Sequence, residues 1–145
     1  MMAHVEVDGL DALIRDLDTL TQLPDSVVDD MLHAGADVLV EAQRGEISRT
    51  WRGKWSQQIS AQSVKKDKVY KSWNGRSIVV YPQGTRKRGK KRVRNAEIAF
   101  INEYGAPKRG IAARPAISRA NEKSADRAVE AGERPYHAYL DSKGL

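Results

Sequence analysis

The stretch "KVYKSWNGRSIVVYP", residues 68–82, decides the fold class, because it has the residue pattern of a β-hairpin. Two strand-like runs, residues 68–73 and 76–82, flank the pair Asn74-Gly75. Asn-Gly is the strongest short signal for a hairpin, since both residues tolerate the positive φ angles of a tight turn. The stretch therefore predicts two antiparallel strands in the middle of the chain.

A third strand is predicted in "NAEIAFINEY", residues 95–104. Side chains alternate between the two faces of a strand, which places Ala96, Ile98 and Phe100 on one face. The stretch "TRKRGKKRVR", residues 85–94, lies between the second and third predicted strands. It is therefore predicted to be a long, mobile and exposed hairpin loop.

Helical periodicity appears on both sides of the predicted sheet. Residues 5–20 begin with a short strand and continue as a helix whose apolar stripe consists of Leu10, Leu13, Ile14, Leu17 and Leu20. A second helix is predicted to start at Pro24, Asp25 or Ser26. A third is predicted to begin at Pro115 and to end at Gly132, since glycine commonly terminates helices.

These elements together predict an α+β fold. An antiparallel sheet of three to four strands would carry the long basic hairpin loop, with the two N-terminal helices and the C-terminal helix packed on it. Residues 1–132 would form a single domain. Residues 133–145 would form a C-terminal arm, because Pro135 interrupts the preceding helix.

The charge of the chain is concentrated in one segment. The whole chain has 25 Lys and Arg against 19 Asp and Glu, a net charge of +6. Outside residues 85–94 the count is 18 against 19. A general nucleic-acid-binding protein usually distributes positive charge over a face, whereas this protein confines it to one segment. The basic residues predicted to contact DNA or a partner are Arg86, Lys87, Arg88, Lys90, Lys91, Arg92 and Arg94.

The sequence contains little that indicates catalysis or a cofactor. It has no cysteine, so disulfides and thiolate metal sites are excluded. His4, His33 and His137 are not at metal-ligand spacing, and no phosphate-binding glycine loop or nucleophile motif is present. No window has the roughly 18 apolar residues of a membrane span. The sequence therefore predicts a protein that is not an enzyme, binds no metal or cofactor and has no membrane partner.

Trp51, Trp55 and Ile59 recur at four-residue spacing. They either continue the second helix or form an aromatic platform for nucleic-acid bases. Packing in a core or an interface is the more common use of such residues. The basic residues near the tryptophans, among them Arg52 and Lys54, keep the platform open as an alternative.

The stretch "AEIAFINEYGAPKRGIAARPAISRA", residues 96–120, resembles the neck or tail-completion (head–tail joining) proteins of long-tailed bacteriophages. The resemblance rests on Glu103-Tyr104-Gly105, a short loop, and Ala-Arg-Pro before a C-terminal helix. The N-terminal "VEVDGLDALIRDLDTL" is also similar to the start of that family. "TWRGKWSQQISAQSV", residues 50–64, departs from it, because Trp55 replaces the family's leucine and the glycine is displaced to Gly53.

The resemblance implies a structural virion protein, made in the bacterial host cytoplasm, that forms a ring at the junction of head and tail. Its partners would be other copies of itself, neighbouring neck, connector or tail proteins, and DNA in the channel. The residues predicted for subunit interfaces are Trp51, Trp55, Glu103, Tyr104, Gly105, Arg114, Tyr136, Tyr139 and Leu140. For Glu103, Tyr104 and Gly105 the alternative is an ordinary strand end followed by a turn. The competing function is a small stand-alone nucleic-acid-binding protein that uses residues 85–94.

Overall fold

The computed structural model of the chain describes residues 23–52 and 58–144. The predicted N-terminal strand and first helix, residues 5–20, lie outside this range, as does Trp55. The described helices are α1 (Asp25–Thr50), α2 (Asn95–Tyr104) and α3 (Ile117–Ser142), with short 3₁₀ turns at Ala61–Ser63 and Pro107–Arg109. The strands are β1 (Val64–Lys66), β2 (Tyr70–Ser72), β3 (Gly75–Ser77), β4 (Val80–Pro82), β5 (Thr85–Arg88) and β6 (Lys91–Arg94).

Helix α1 begins where the sequence predicts. Pro24, with φ −59° and ψ 145°, precedes the first turn, and Asp25 lies in that turn, where a carboxylate interacts favourably with the positive end of the helix dipole. The helix ends at Thr50, and the Trp51 N–H donates to the Ile47 carbonyl oxygen.

Helices α1 and α3 pack against each other in antiparallel orientation and form the most extensive contact between elements. Small residues make this contact close. A Cβ added at Gly35 would lie 3.2 Å from the Ala128 carbonyl oxygen, and one added at Gly132 would lie 3.2 Å from the Met31 carbonyl oxygen. The backbones of the two helices therefore approach each other without intervening side chains.

The prediction that the third helix ends at Gly132 is wrong. Helix α3 begins at Ile117, two residues after Pro115, and continues through Gly132 and Pro135 to Ser142. Gly132 is buried against α1, so it serves close packing and not helix termination. Residues 133–142 therefore belong to α3.

Strands β1 to β4 form one interrupted antiparallel ribbon. β2 pairs with β3, and β1 pairs with β4. Between the two ladders, residues 67–69 lie opposite only residues 78 and 79, so the ribbon contains one extra residue, as a bulge does. The turn consists of Trp73 and Asn74, one residue earlier than predicted, and Gly75 follows it with φ 127°.

Salt bridges and hydrogen bonds attach this ribbon to α1. Arg76 donates from Nε and Nη2 to the two Asp29 carboxylate oxygens, at 2.6 and 2.8 Å. These hydrogen bonds lower the pKa of Asp29 below its usual value. Arg44 donates from Nε and Nη2 to the Val64 carbonyl oxygen. With the ion pair of 2.8 Å between Lys66 and Asp37, the ribbon is thus fixed to α1 at three separate points.

The prediction of a third strand at residues 95–104 is wrong, because this stretch is α2. Its buried residues are Asn95, Ile98, Ala99, Asn102 and Glu103, which recur with the spacing of a helix. Three of these five are polar, so the buried face does not form an apolar stripe. Phe100, which the strand prediction placed on the apolar face, is 63% exposed.

The fold is therefore α+β, as predicted, but the prediction of a sheet with three to four strands is wrong. In the described ranges the strands form three antiparallel pairs, and no sheet there has three strands. The third pair, β5 with β6, contains the basic residues. The core lies between α1, α2, β1 and the start of α3, and includes Val40, Ile47, Trp51, Ile59, Val64, Ile98, Ala99 and Ala116. Within residues 23–52 and 58–144, no helix is long and apolar enough to cross a membrane.

Candidate functional site

The basic stretch forms a two-stranded hairpin. Arg86 pairs with Val93, Lys87 with Arg92, and Arg88 with Lys91, while Gly89, at φ 64°, and Lys90 form the turn. The prediction of a long loop is therefore wrong, because residues 85–88 and 91–94 form paired strands. The predicted exposure agrees with the structure, since only Arg86 and Val93 are half-buried.

Like charges face each other across this hairpin. Lys87 lies opposite Arg92, and Arg88 lies opposite Lys91. Directly opposed like charges destabilise an antiparallel pair. Contacts that act in the opposite direction include a hydrogen bond from Arg92 to the Thr85 hydroxyl and an ion pair of 3.7 Å between Arg94 and Glu97. Repulsion between these opposed charges therefore lowers the stability of the hairpin.

The base of the hairpin is anchored in the domain. Asn95 is buried, and its side-chain amide donates to the Gln83 carbonyl oxygen at 2.8 Å. The Asn95 backbone N–H donates to the carbonyl oxygen of Gly84, which has φ 82°. Val93 packs against the core. The charged tip therefore projects from a fixed base, about 13 Å along strands of four residues.

An aromatic pair lies on the helix that follows the hairpin. The rings of Phe100 and Tyr104 are 4.8 Å apart on α2, and each residue is 63% exposed. Tyr104 was predicted at an interface from the sequence, whereas Phe100 was not. The i, i+4 spacing of the two aromatics would have indicated the pair if the stretch had been interpreted as a helix.

Glu103 acts inside the subunit and caps α3. Its carboxylate accepts hydrogen bonds from the backbone N–H groups of Ala116, Ile117 and Ser118, at 2.8–3.0 Å, and from the Ser118 hydroxyl at 2.6 Å. These groups lie at the start of the helix, where free N–H donors and the helix dipole favour an anion. Burial by itself raises the pKa of Glu103, but these hydrogen bonds outweigh it and lower the pKa below its usual value.

Gly105 and Trp51 complete the junction between α2 and α3. Gly105 has φ 76° and ψ 178°, and a Cβ there would lie 2.7 Å from the Ala113 nitrogen. Trp51 is 3% exposed, and its indole N–H donates to the Arg114 carbonyl oxygen at 2.7 Å. The Arg114 N–H donates to the Asn102 carbonyl oxygen at 2.7 Å. Residues 96–120, which carry the resemblance, therefore contain the junction between α2 and α3.

The predicted interface residues thus differ in what they contact. Trp51, Glu103 and Gly105 make contacts within the subunit, and Trp51 is too buried to stack on nucleic-acid bases. Tyr104 and Arg114 are exposed. Tyr136, Tyr139 and Leu140 are half-buried along one side of α3. Trp55 lies outside the described residues.

Across residues 23–52 and 58–144, no group of three or more His, Cys, Asp or Glu side chains is arranged to hold a metal ion. Comparison of the chain with models of protein families, with curated proteins and with solved structures gave no match.

Proposed function

We propose that this chain is a structural virion protein of the bacteriophage neck or tail end, whose copies form a ring that joins or completes the head–tail connection. The resemblance of residues 96–120 to that family motivates the proposal. The observation that carries it is the basic hairpin, which concentrates seven positive charges on one projection of a body that is otherwise close to neutral.

A ring multiplies this feature. Each copy would contribute one hairpin, so several separate hairpins would make a positive collar. Closed rings need two different complementary patches on each subunit, because neighbouring subunits contact each other head to tail. The exposed pair of Phe100 and Tyr104 is suited to one of these patches, since aromatic residues are enriched in protein interfaces.

The collar would act on an anionic partner. Hairpins that face the channel would attract DNA through its phosphates, independently of sequence and with a steep dependence on salt. Hairpins that face outward would bind acidic surfaces of the next neck or tail protein. In both arrangements the repulsion between Lys87 and Arg92, and between Arg88 and Lys91, is relieved when the anionic partner binds.

Deletion of the gene from its phage tests the proposal. Full heads beside separate, unjoined tails in electron micrographs would support it. Complementation with a gene in which all seven basic residues of the hairpin are changed to Gln should fail. Complementation with the changes Lys108→Gln and Arg109→Gln should succeed, because these exposed residues lie outside the hairpin. Complete, infectious virions without the protein would refute the proposal.

A small nucleic-acid-binding protein is the second candidate function. The hairpin favours it, because a two-stranded β-ribbon fits the DNA major groove. Such a protein should bind a specific duplex near physiological salt, whereas a neck protein should bind random duplex weakly under the same conditions. Normal virions with altered transcription after deletion would support this second function.

A further inference from the structure

An apolar groove of about 590 Å³ runs along the contact between α1 and α3. Its floor and walls include Val28, Leu32, Leu39, Ile78 and Val80. On its rim, Val79 and Val129 are 45% and 62% exposed. Apolar surface in such a groove is available for contact with another element or molecule.

We propose that this groove is the docking site of residues 10–20 of the same chain, which would lie antiparallel to α1. The groove extends along α1 from Val28 to Gln43, about 22 Å at the rise of an α-helix. The proposal does not depend on the function proposed above.

The sequence of the segment matches the groove. Leu10, Leu13, Ile14, Leu17 and Leu20 form one apolar stripe at helical spacing, about 15 Å long if helical. The residues between them are mostly acidic or polar, as expected for a face in contact with water. A leucine stripe and an apolar groove are both removed from water when they meet, which is favourable.

The connection to α1 favours a contact within one chain. Only residues 21–24 separate the end of the stripe from the first residue of α1, and helices joined by so few residues pack side by side. The groove begins at Val28, one turn into α1. The segment therefore reaches the groove directly. If the turn between residues 10–20 and α1 is centred between residues 22 and 23, Leu13 lies opposite Leu32 of α1.

Disulfide trapping in the full chain tests this pairing, because the native sequence has no cysteine to interfere. The variant with Leu13→Cys and Leu32→Cys should form a disulfide within the monomer under mild oxidation. The control variant, with Leu13→Cys and Ser48→Cys, should stay reduced, because Ser48 lies 16 residues, or about 24 Å, farther along α1. A disulfide-linked dimer would overturn the proposal and assign the groove to the segment of a second copy.

A second measurement leaves residues 10–20 unchanged and alters only the exposed rim of the groove. A spin label on the variant Val129→Cys, at the exposed rim of the groove, should strongly weaken the amide signals of residues 10–20 in nuclear magnetic resonance spectra. A label on Lys90→Cys, in the turn of the basic hairpin and outside the groove, should spare them. Undiminished signals with the Val129 label would overturn the proposal. Weakening in isotope-labelled chains that carry no spin label, after mixing with spin-labelled chains, would also overturn it, because the contact would then be between copies.

Discussion

Glu103 shows how one residue that looks like a surface feature in the sequence can hold the fold together. Its carboxylate accepts four hydrogen bonds at the start of α3 from residues 13–15 positions away. The change Glu103→Gln removes the charge and turns an N–H donor toward other donors. We expect it to lower the free energy of unfolding by about 3 kcal/mol. Urea unfolding measures this decrease, and Glu122→Gln, at an exposed position on α3, should change it little.

The same carboxylate predicts how stability depends on pH. Because the folded state lowers the pKa of Glu103, the folded state releases the proton more readily than the unfolded state does. The resulting stabilisation is fully present above the usual glutamate pKa of about 4.3, and it disappears as the pH falls below that value. Glu46, whose pKa is lowered by hydrogen bonds from Arg49 and Lys123, acts in the same direction.

We therefore expect the melting temperature to fall below about pH 4.3. The variant Glu103→Gln should show a shallower decline, because one of the carboxylates whose pKa is lowered in the folded state no longer titrates. Calorimetry from pH 7 to pH 3 measures both curves. Parallel curves for the variant and the natural protein would show that Glu103 has no part in the acid sensitivity.

Gly105 adopts a backbone conformation that is essentially restricted to glycine. The change Gly105→Ala would strain the backbone, and it would also place a Cβ 2.8 Å from the Ile111 carbonyl oxygen. We expect the unfolding free energy to decrease by at least about 2 kcal/mol. Gly45→Ala is the control, because it lies within helix α1 and its added Cβ would meet only the Arg49 side chain. Equal stability of the two variants would contradict the strained conformation at Gly105.

Among the elements, α1 could be predicted from the sequence and α2 could not. The start of α1 carries Pro24 and Asp25, which are local signals. The buried face of α2 contains polar residues, and the side chains of Asn95 and Glu103 have partners that are distant in the sequence, so its helical period is hidden. The residues Gly132 and Pro135 predict a helix end that the structure does not have. The packing on α1 favours a continuous α3, and this packing leaves no local signal in the sequence.

The candidate site, like the fold, could be predicted from the sequence only in part. The seven basic residues and their exposure were evident from composition. Their arrangement in opposed strands was not, because like charges argue against pairing. The pairing depends on the base, where Asn95 bonds to Gln83 and Gly84 and Val93 enters the core.

Substitutions in the hairpin should lower its affinity for anions without lowering the stability of the fold. The paired changes Lys87→Thr and Arg92→Thr remove one opposed pair of like charges and introduce residues with good strand propensity. We expect thermal stability to be unchanged or slightly raised. Affinity for duplex DNA at low salt should fall, and the slope of log K against log salt should decrease by about 0.9 for each phosphate that the variant no longer neutralises. Retained affinity with an unchanged slope would exclude these two residues from the anion-binding surface.

At the scale of the whole molecule, residues 23–52 and 58–144 include three surfaces of different character. The groove between α1 and α3 is apolar, the hairpin β5–β6 is basic, and the ring pair on α2 is aromatic. If residues 10–20 cover the groove, the aromatic pair and the hairpin remain for partners. The hairpin is unsuited to contact its own copy, because like charges repel. The aromatic pair is therefore the surface that we expect to mediate contact between subunits.

Substitution of this pair tests the assembly of the molecule. The changes Phe100→Ser and Tyr104→Ser remove exposed ring surface, so the subunit should fold with nearly the stability of the natural protein. Ring assembly should be abolished, because exposed aromatic anchors often provide much of the binding energy of an interface. Sedimentation velocity at concentrations where the natural protein assembles should show only monomer for the variant. The matched control, Tyr70→Ser, changes an exposed aromatic residue on β2 and should leave assembly intact. Rings formed by the variant at the same concentration would place the subunit contact elsewhere on the molecule.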